Sequence, residues 1–171
     1  MSLARFAARR AAPVVALLAS LGGASALRAQ ASSSASVTAD VQQPITVTKT
    51  SDLAFGTIFP GLAKTVAVTD GGAAAFAIQG QAGGNVNLTF SLPTSITNGG
   101  ATLPIAAWTA RRATTNSPSA GTDFTPGAAT TSAVLSGAGN LYVFLGATAQ
   151  PSAAQPAGSY SGTATMTVVY F

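Results

Sequence analysis

From Tyr160 to Tyr170 the chain alternates without interruption: Tyr160, Gly162, Ala164, Met166, Val168 and Tyr170 share one face, and Ser159, Ser161, Thr163, Thr165 and Thr167 the other. A period of two in β-branched and aromatic residues specifies a half-buried β-strand, and Tyr160, Ala164, Met166, Val168 and Tyr170 are its expected core or assembly face. The turn Gln155-Pro156-Ala157-Gly158 opens this strand, and Phe171 follows it directly. A strand in that position is expected to offer its edge to another chain, which suits an assembly subunit better than an enzyme.

The other end of the chain reads as an export signal. Arg5, Arg9 and Arg10 make a basic start, Ala11 to Leu21 is an apolar run, and Ala-x-Ala patterns follow at Ala24-Ser25-Ala26 and Ala29-Gln30-Ala31. That layout predicts a signal peptide over residues 1–31, with an apolar core too short for a permanent membrane span. The expected route is export through the periplasm to the cell surface or the extracellular space. The leader would remove Arg5, Arg9, Arg10 and Arg28, leaving Lys49, Lys64, Arg111 and Arg112 against Asp40, Asp52, Asp70 and Asp123. A mature chain of zero net charge has no cation cluster with which to displace counterions, so no nucleic-acid partner is expected.

Roughly 140 residues then remain, enough for one β domain with its own core. The sequence has no cysteine, so hydrophobic burial and ladder hydrogen bonds must hold the fold. Few charges on a surface of Ser, Thr, Asn, Gln, Gly and Ala give little repulsion between copies, which favours a homo-polymer or a matrix of related subunits. Short apolar alternations between turn clusters predict an all-β antiparallel sandwich. Candidate strands are Val37–Val41, Ile45 with Val47, Asp52–Gly61, Lys64–Thr69, Ala74–Gln79, Asn85–Ser91, Thr102–Ala110, Leu141–Thr148 and the C-terminal run. Thr114–Thr131 lacks periodicity and reads as a long surface loop, with an extra edge strand as the alternative. Pro44 cannot donate to a ladder, so it separates a leading segment, 32–43, from a sandwich domain, 44–171.

Reactive chemistry is sparse. There is no histidine, no cysteine and no glutamate, and the aspartates are scattered singly. A hydroxyl nucleophile would lack its usual base, and the spacing matches no metal-ligand motif, so neither an enzyme nor a cofactor is expected. Trp108, Arg111 and Arg112 are the candidate ligand contacts, against the plainer reading of a core indole followed by solvated arginines.

Three stretches resemble the DUF4402 family of exported bacterial proteins, itself similar to spore coat protein U and to chaperone–usher pilin subunits. They are Val37 to Thr50 (VTADVQQPITVTKT), Asp52 to Gly61 (DLAFGTIFPG) and Pro156 to Phe171 (PAGSYSGTATMTVVYF). The resemblance implies an immunoglobulin-like, pilin-like sandwich and a structural role in a surface fibre, pilus or coat. In pilin relatives a periplasmic chaperone lends a missing strand until the next subunit's leading segment replaces it, with an outer-membrane usher as a further partner. Val37, Ala39 and Val41 are then the possible donor-strand residues; pairing of Val37–Val41 within its own domain is the alternative. A second function class is a self-contained secreted carbohydrate-binding or adhesin-like sandwich, in which Trp108 would stack on a sugar.

Overall fold

The computed structural model describes residues 31–171, so the leader expected over residues 1–31 lies outside the described residues except for Ala31. The chain divides into a unit Met1–Ala39 and a unit Asp40–Phe171. In the first, residues 31–39 are exposed and join no ladder.

Ten strands make up the described part of the second unit: β1 (Thr46–Ser51), β2 (Lys64–Val66), β3 (Ala74–Gln79), β4 (Asn85–Ser91), β5 (Ser95–Asn98), β6 (Ala101–Ala113), β7 (Thr122–Phe124), β8 (Thr131–Val134), β9 (Asn140–Ala149) and β10 (Thr165–Tyr170). No helix occurs among the described residues. A seven-stranded sheet runs β1-β3-β9-β6-β5, with β2 paired to β9 and β7 to β6, and a three-stranded sheet runs β10-β4-β8. All of these pairs are antiparallel.

With β2, β5, β7 and β8 set aside, the chain order β1, β3, β4, β6, β9, β10 reproduces strands A to F of the immunoglobulin sandwich. Sheet ABED is then β1-β3-β9-β6, and the opposing sheet holds C and F as β4 and β10. The outer edge of β10, where strand G belongs, has no partner among the described residues.

The sheets close on one main core because each strand alternates. In β4, Val86, Leu88 and Phe90 are buried, while β9 contributes Leu141, Val143 and Leu145, and β3 contributes Ile78. β9 is buried on its other face too, where Phe144 packs with Val68 and Ala113. Its residues read as a continuous apolar run for that reason.

Several sequence expectations need correction. Asp52–Gly61 is not a strand but an extended loop, since Leu53 and Phe55 cross the mouth of the sandwich and pair with no neighbouring strand. Val37–Val41 forms no strand, and Val37 and Val41 are 93% and 94% exposed. The C-terminal ladder starts at Thr165, not Tyr160, because the preceding residues touch the other sheet through an isolated Thr97–Ser161 bridge. β5 and β8 lie where the residues predict no strand, and β7 is a short strand inside the stretch expected as a loop or an extra edge strand.

Removing a fully buried side chain from the main core leaves a void that neighbouring strands cannot fill. Leu141→Ala is expected to cost about 2–5 kcal/mol and Thr167→Ala, on the exposed face of β10, under about 1 kcal/mol. Urea melts of the two variants check this; comparable losses would mean that β10 is turned the other way.

Candidate functional site

Two stretches from opposite ends of the domain form the walls of one groove. Residues 51–60 lie on one side, residues 155–164 on the other, and Phe76 of β3, Ile96 of β5 and Leu103, Ile105 and Trp108 of β6 make the floor. Its volume is about 850 Å³.

The 155–164 wall is a strap laid across the end of the large sheet. Gln150 N donates to Pro104 O at 2.9 Å, and Ser161 and Thr97 exchange two backbone bonds of 2.9 Å each. Gln155 ties the strap to β6 and to itself: its Nε2 donates to Thr102 O at 3.1 Å and to Tyr160 Oη at 2.7 Å, while Tyr160 Oη donates to Pro156 O at 2.8 Å. Two glycines let the strap lie this close. Gly158 adopts φ 149°, where a side chain would also overlap the Asn98 amide, and a Cβ on Gly162 would come within 2.7 Å of Ile96 Cγ2. The Tyr160 ring joins Leu103, Ile105, Ala147 and Ala149 in a second core cluster.

The facing wall leaves β1 at Ser51 and is pinned where Ala54 N donates to Gly72 O at 2.8 Å. Leu53, Phe55 and Ile58 are half-buried against the second cluster, and Leu53 reaches the main core as well. At the rim, Lys49 Nζ and Asp52 Oδ1 form an exposed ion pair.

Trp108 reaches the floor through a bulge. The pairing of β6 with β9 shifts between Ala106 and Thr109, and Ala107 takes φ 48°, the left-handed region that disfavours a side chain. Leu103 and Ile105 are buried before the bulge and Ala110 after it, so the inward parity changes from odd to even. Trp108 thereby packs on the same cluster as Leu103 and Ile105, with Nε1 donating to Pro93 O at 3.2 Å.

Below the strap, Met166, Val168 and Tyr170 are half-buried against the main core, and Ala164, just before β10, lines the groove. Phe171 N donates to Asn85 O at 3.3 Å. Antiparallel alternation then turns the backbone groups of Thr165, Thr167 and Val169 toward β4, and those of Met166, Val168 and Tyr170 toward the free edge. The residues that present apolar side chains inward therefore present unpaired N–H and C=O groups outward.

Sequence reasoning grouped Trp108, Arg111 and Arg112 as ligand contacts, and the structure does not bring them together. Arg111 holds Asp123 bidentately, Nε–Oδ1 at 2.5 Å and Nη2–Oδ2 at 2.9 Å, and donates to Pro118 O at 2.9 Å. Those hydrogen bonds keep the Asp123 carboxyl below its ordinary pKa and raise that of Arg111. Arg112 Nη1 donates to Ser132 O on β8. Val37, Ala39 and Val41 lie exposed. The residues that sequence reasoning missed are Ala107 and Gln155; neither carries a periodic signal, since one bends a strand and the other ties a loop.

A left-handed alanine costs about 1–2 kcal/mol, which glycine avoids at the expense of unfolded-chain entropy. Ala107→Gly is therefore expected to stay within about 1 kcal/mol of wild type, and Ala107→Val to lose roughly 2 kcal/mol or more because a β-branched residue fits this region worst. Denaturant melts read both; equal stabilities would mean that residue 107 is not held at positive φ.

Both walls of the groove, its floor and β10 fall within one stretch of similarity to other proteins. No curated protein matches the chain. A family model described as a domain of unknown function, DUF4402, matches residues 45–170, and with so much of the sequence covered the chain belongs to the DUF4402 family.

Proposed function

We propose that this protein is a non-enzymatic, exported structural subunit of a surface fibre, pilus or coat, assembled by β-strand addition. The observation that carries this reading is the free edge of β10. It runs for six residues, TMTVVY, with no charge, no proline and no bulge, beginning beside an apolar groove.

Edge strands are usually protected against such pairing, and the others described here are. β1 carries Lys49 and a register irregularity between Lys49 and Ser51. Ser161 bridges to β5, the Arg112 guanidinium covers the Ser132 carbonyl of β8, and β7 is three residues long with Asp123 bound to Arg111. An incoming strand would gain ladder bonds from Met166, Val168 and Tyr170 and would direct alternate side chains toward the groove that Leu53, Phe76 and Ala164 line. Val37, Ala39 and Val41 of a neighbouring copy have the required alternation. A periplasmic chaperone and an outer-membrane usher are the partners that fit this assembly route.

The carbohydrate-binding alternative draws less support. The Trp108 indole N–H is committed to Pro93, and both arginines are committed to carbonyls or to Asp123.

Two measurements test the proposal. Deleting Ser32–Val41 should abolish detergent-resistant oligomers and leave a domain whose melting temperature rises when a peptide covering Ala35–Gln43 is added. A truncated domain that is fully stable and indifferent to the peptide would exclude strand addition by this segment. Val168→Pro removes an N–H from the free edge only, so the variant should fold yet fail to polymerise, whereas Thr167→Pro should disrupt the ladder to β4 itself. Normal polymerisation of Val168→Pro would place the acceptor edge elsewhere.

A further inference from the structure

The leading segment joins the body at Gln43, and there both backbone groups are engaged. Tyr170 Oη donates to Gln43 O at 2.8 Å and accepts from Gln81 N at 2.6 Å, while Gln43 N donates to Gln81 Oε1 at 3.4 Å. The tyrosine is seated between glycines: a side chain on Gly80 would collide with its hydroxyl, and a Cβ on Gly84 would come within 3.0 Å of Cε1. Pro44 restricts the backbone immediately after the clamp, and Ile45 packs against the main core. Just before it, Val41 is 94% exposed.

We infer that this clamp selects donation between copies over donation within one copy. The inference rests on the strand-addition reading above. A donor tethered to its own acceptor by a short linker acts at an effective concentration in the millimolar range, about a thousandfold above a micromolar second copy, unless geometry forbids the contact. To enter its own groove the leading segment must reverse at Gln42–Pro44 and lie along β10. On this inference the reversal costs the bonds of the Gln43 carbonyl to Tyr170 and of the Gln43 amide to Gln81. Because β10 carries Tyr170 as well as the acceptor edge, the strand that receives a donor also holds the exit of its own leading segment. Tyr170 is thus a positioning residue for the assembly.

The test uses the full exported chain. Tyr170→Phe keeps the ring among Gly80 and Gly84 and removes only the hydroxyl. Light scattering after refolding should show the ratio of monomer to oligomer rising about fivefold or more, the equivalent of one net hydrogen bond. The monomer so formed should melt at a temperature independent of concentration and should not respond to the peptide covering Ala35–Gln43, because its groove is filled from within. Inserting a Gly-Ser-Gly-Ser linker between Gln43 and Pro44 should produce the same closed monomer with Tyr170 untouched.

An unchanged monomer fraction in both variants overturns the clamp, and so does a monomer that still binds the peptide, since Tyr170 would then be merely structural. A truncated wild-type domain that ignores the peptide overturns the strand-addition reading and the clamp together. A truncated domain that responds, alongside variants that do not shift, overturns the clamp alone.

Discussion

One row of inward side chains, from Tyr160 through Ala164, Met166 and Val168 to Tyr170, serves both sheets. Tyr160 belongs to the cluster over β6 and β9, whereas Met166, Val168 and Tyr170 belong to the main core beneath β4. The backbone changes partners on the way, from Thr97 at Ser161 to Ser91 at Thr165, but the period of two persists through the change. The strap that walls the groove, the free edge of β10 and the tyrosine that holds Gln43 all depend on this row keeping its parity. A slip of one residue would send threonines into both clusters at once, which ties the register of the strand to burial at two separated places.

The edges of the sandwich show what distinguishes β10. A strand can be made unattractive to a partner by a charge, a bulge, shortness or a covering group, and among the described residues each of these devices appears on some other edge. Arg112 is instructive because it looks, in sequence, like half of a basic ligand site. Its guanidinium instead crosses from β6 to the opposite sheet and occupies a carbonyl on the rim of β8. The dipeptide Arg111-Arg112 therefore consolidates the fold on two sides: one residue anchors the β7 turn through Asp123, and the other closes an edge.

Burial alternation was readable where a strand pairs on both sides or packs one clean face, so β3 and β4 coincide with the segments expected from the residues, and β6 and β9 contain theirs. It failed where the constraint is not periodic. Asp52–Gly61 has strand-like composition, yet its apolar residues are spent on spanning the groove, which needs Leu53 and Phe55 in contact but no ladder. β5 and β8 have four residues each and carry too few turns of the pattern to stand out. The Ala107 bulge is invisible because alanine gives no hint of positive φ, and without the bulge Trp108 would point away from the floor. The two walls of the groove were legible as separate motifs; that they face one another is a consequence of topology, which local patterns do not encode.

Energetics explain why such a groove would be built rigid. Two buried valines contribute about 1.5–3 kcal/mol each and an alanine about 0.8 kcal/mol. Fixing the five residues that carry them costs about 1–2 kcal/mol per residue in backbone entropy. These terms nearly cancel, so the net ladder bonds, about 0.5–1.5 kcal/mol each, decide whether a strand such as Val37–Val41 stays bound. A mobile acceptor would add its own ordering cost and tip the sum the wrong way. Gln155, Gly158 and Gly162 on one wall and the Ala54–Gly72 bond on the other hold the groove in place by contacts within the domain. On the proposed strand-addition reading, a groove already shaped leaves the incoming segment as the main element to be ordered, and the unpaired edge of β10 would then determine the outcome.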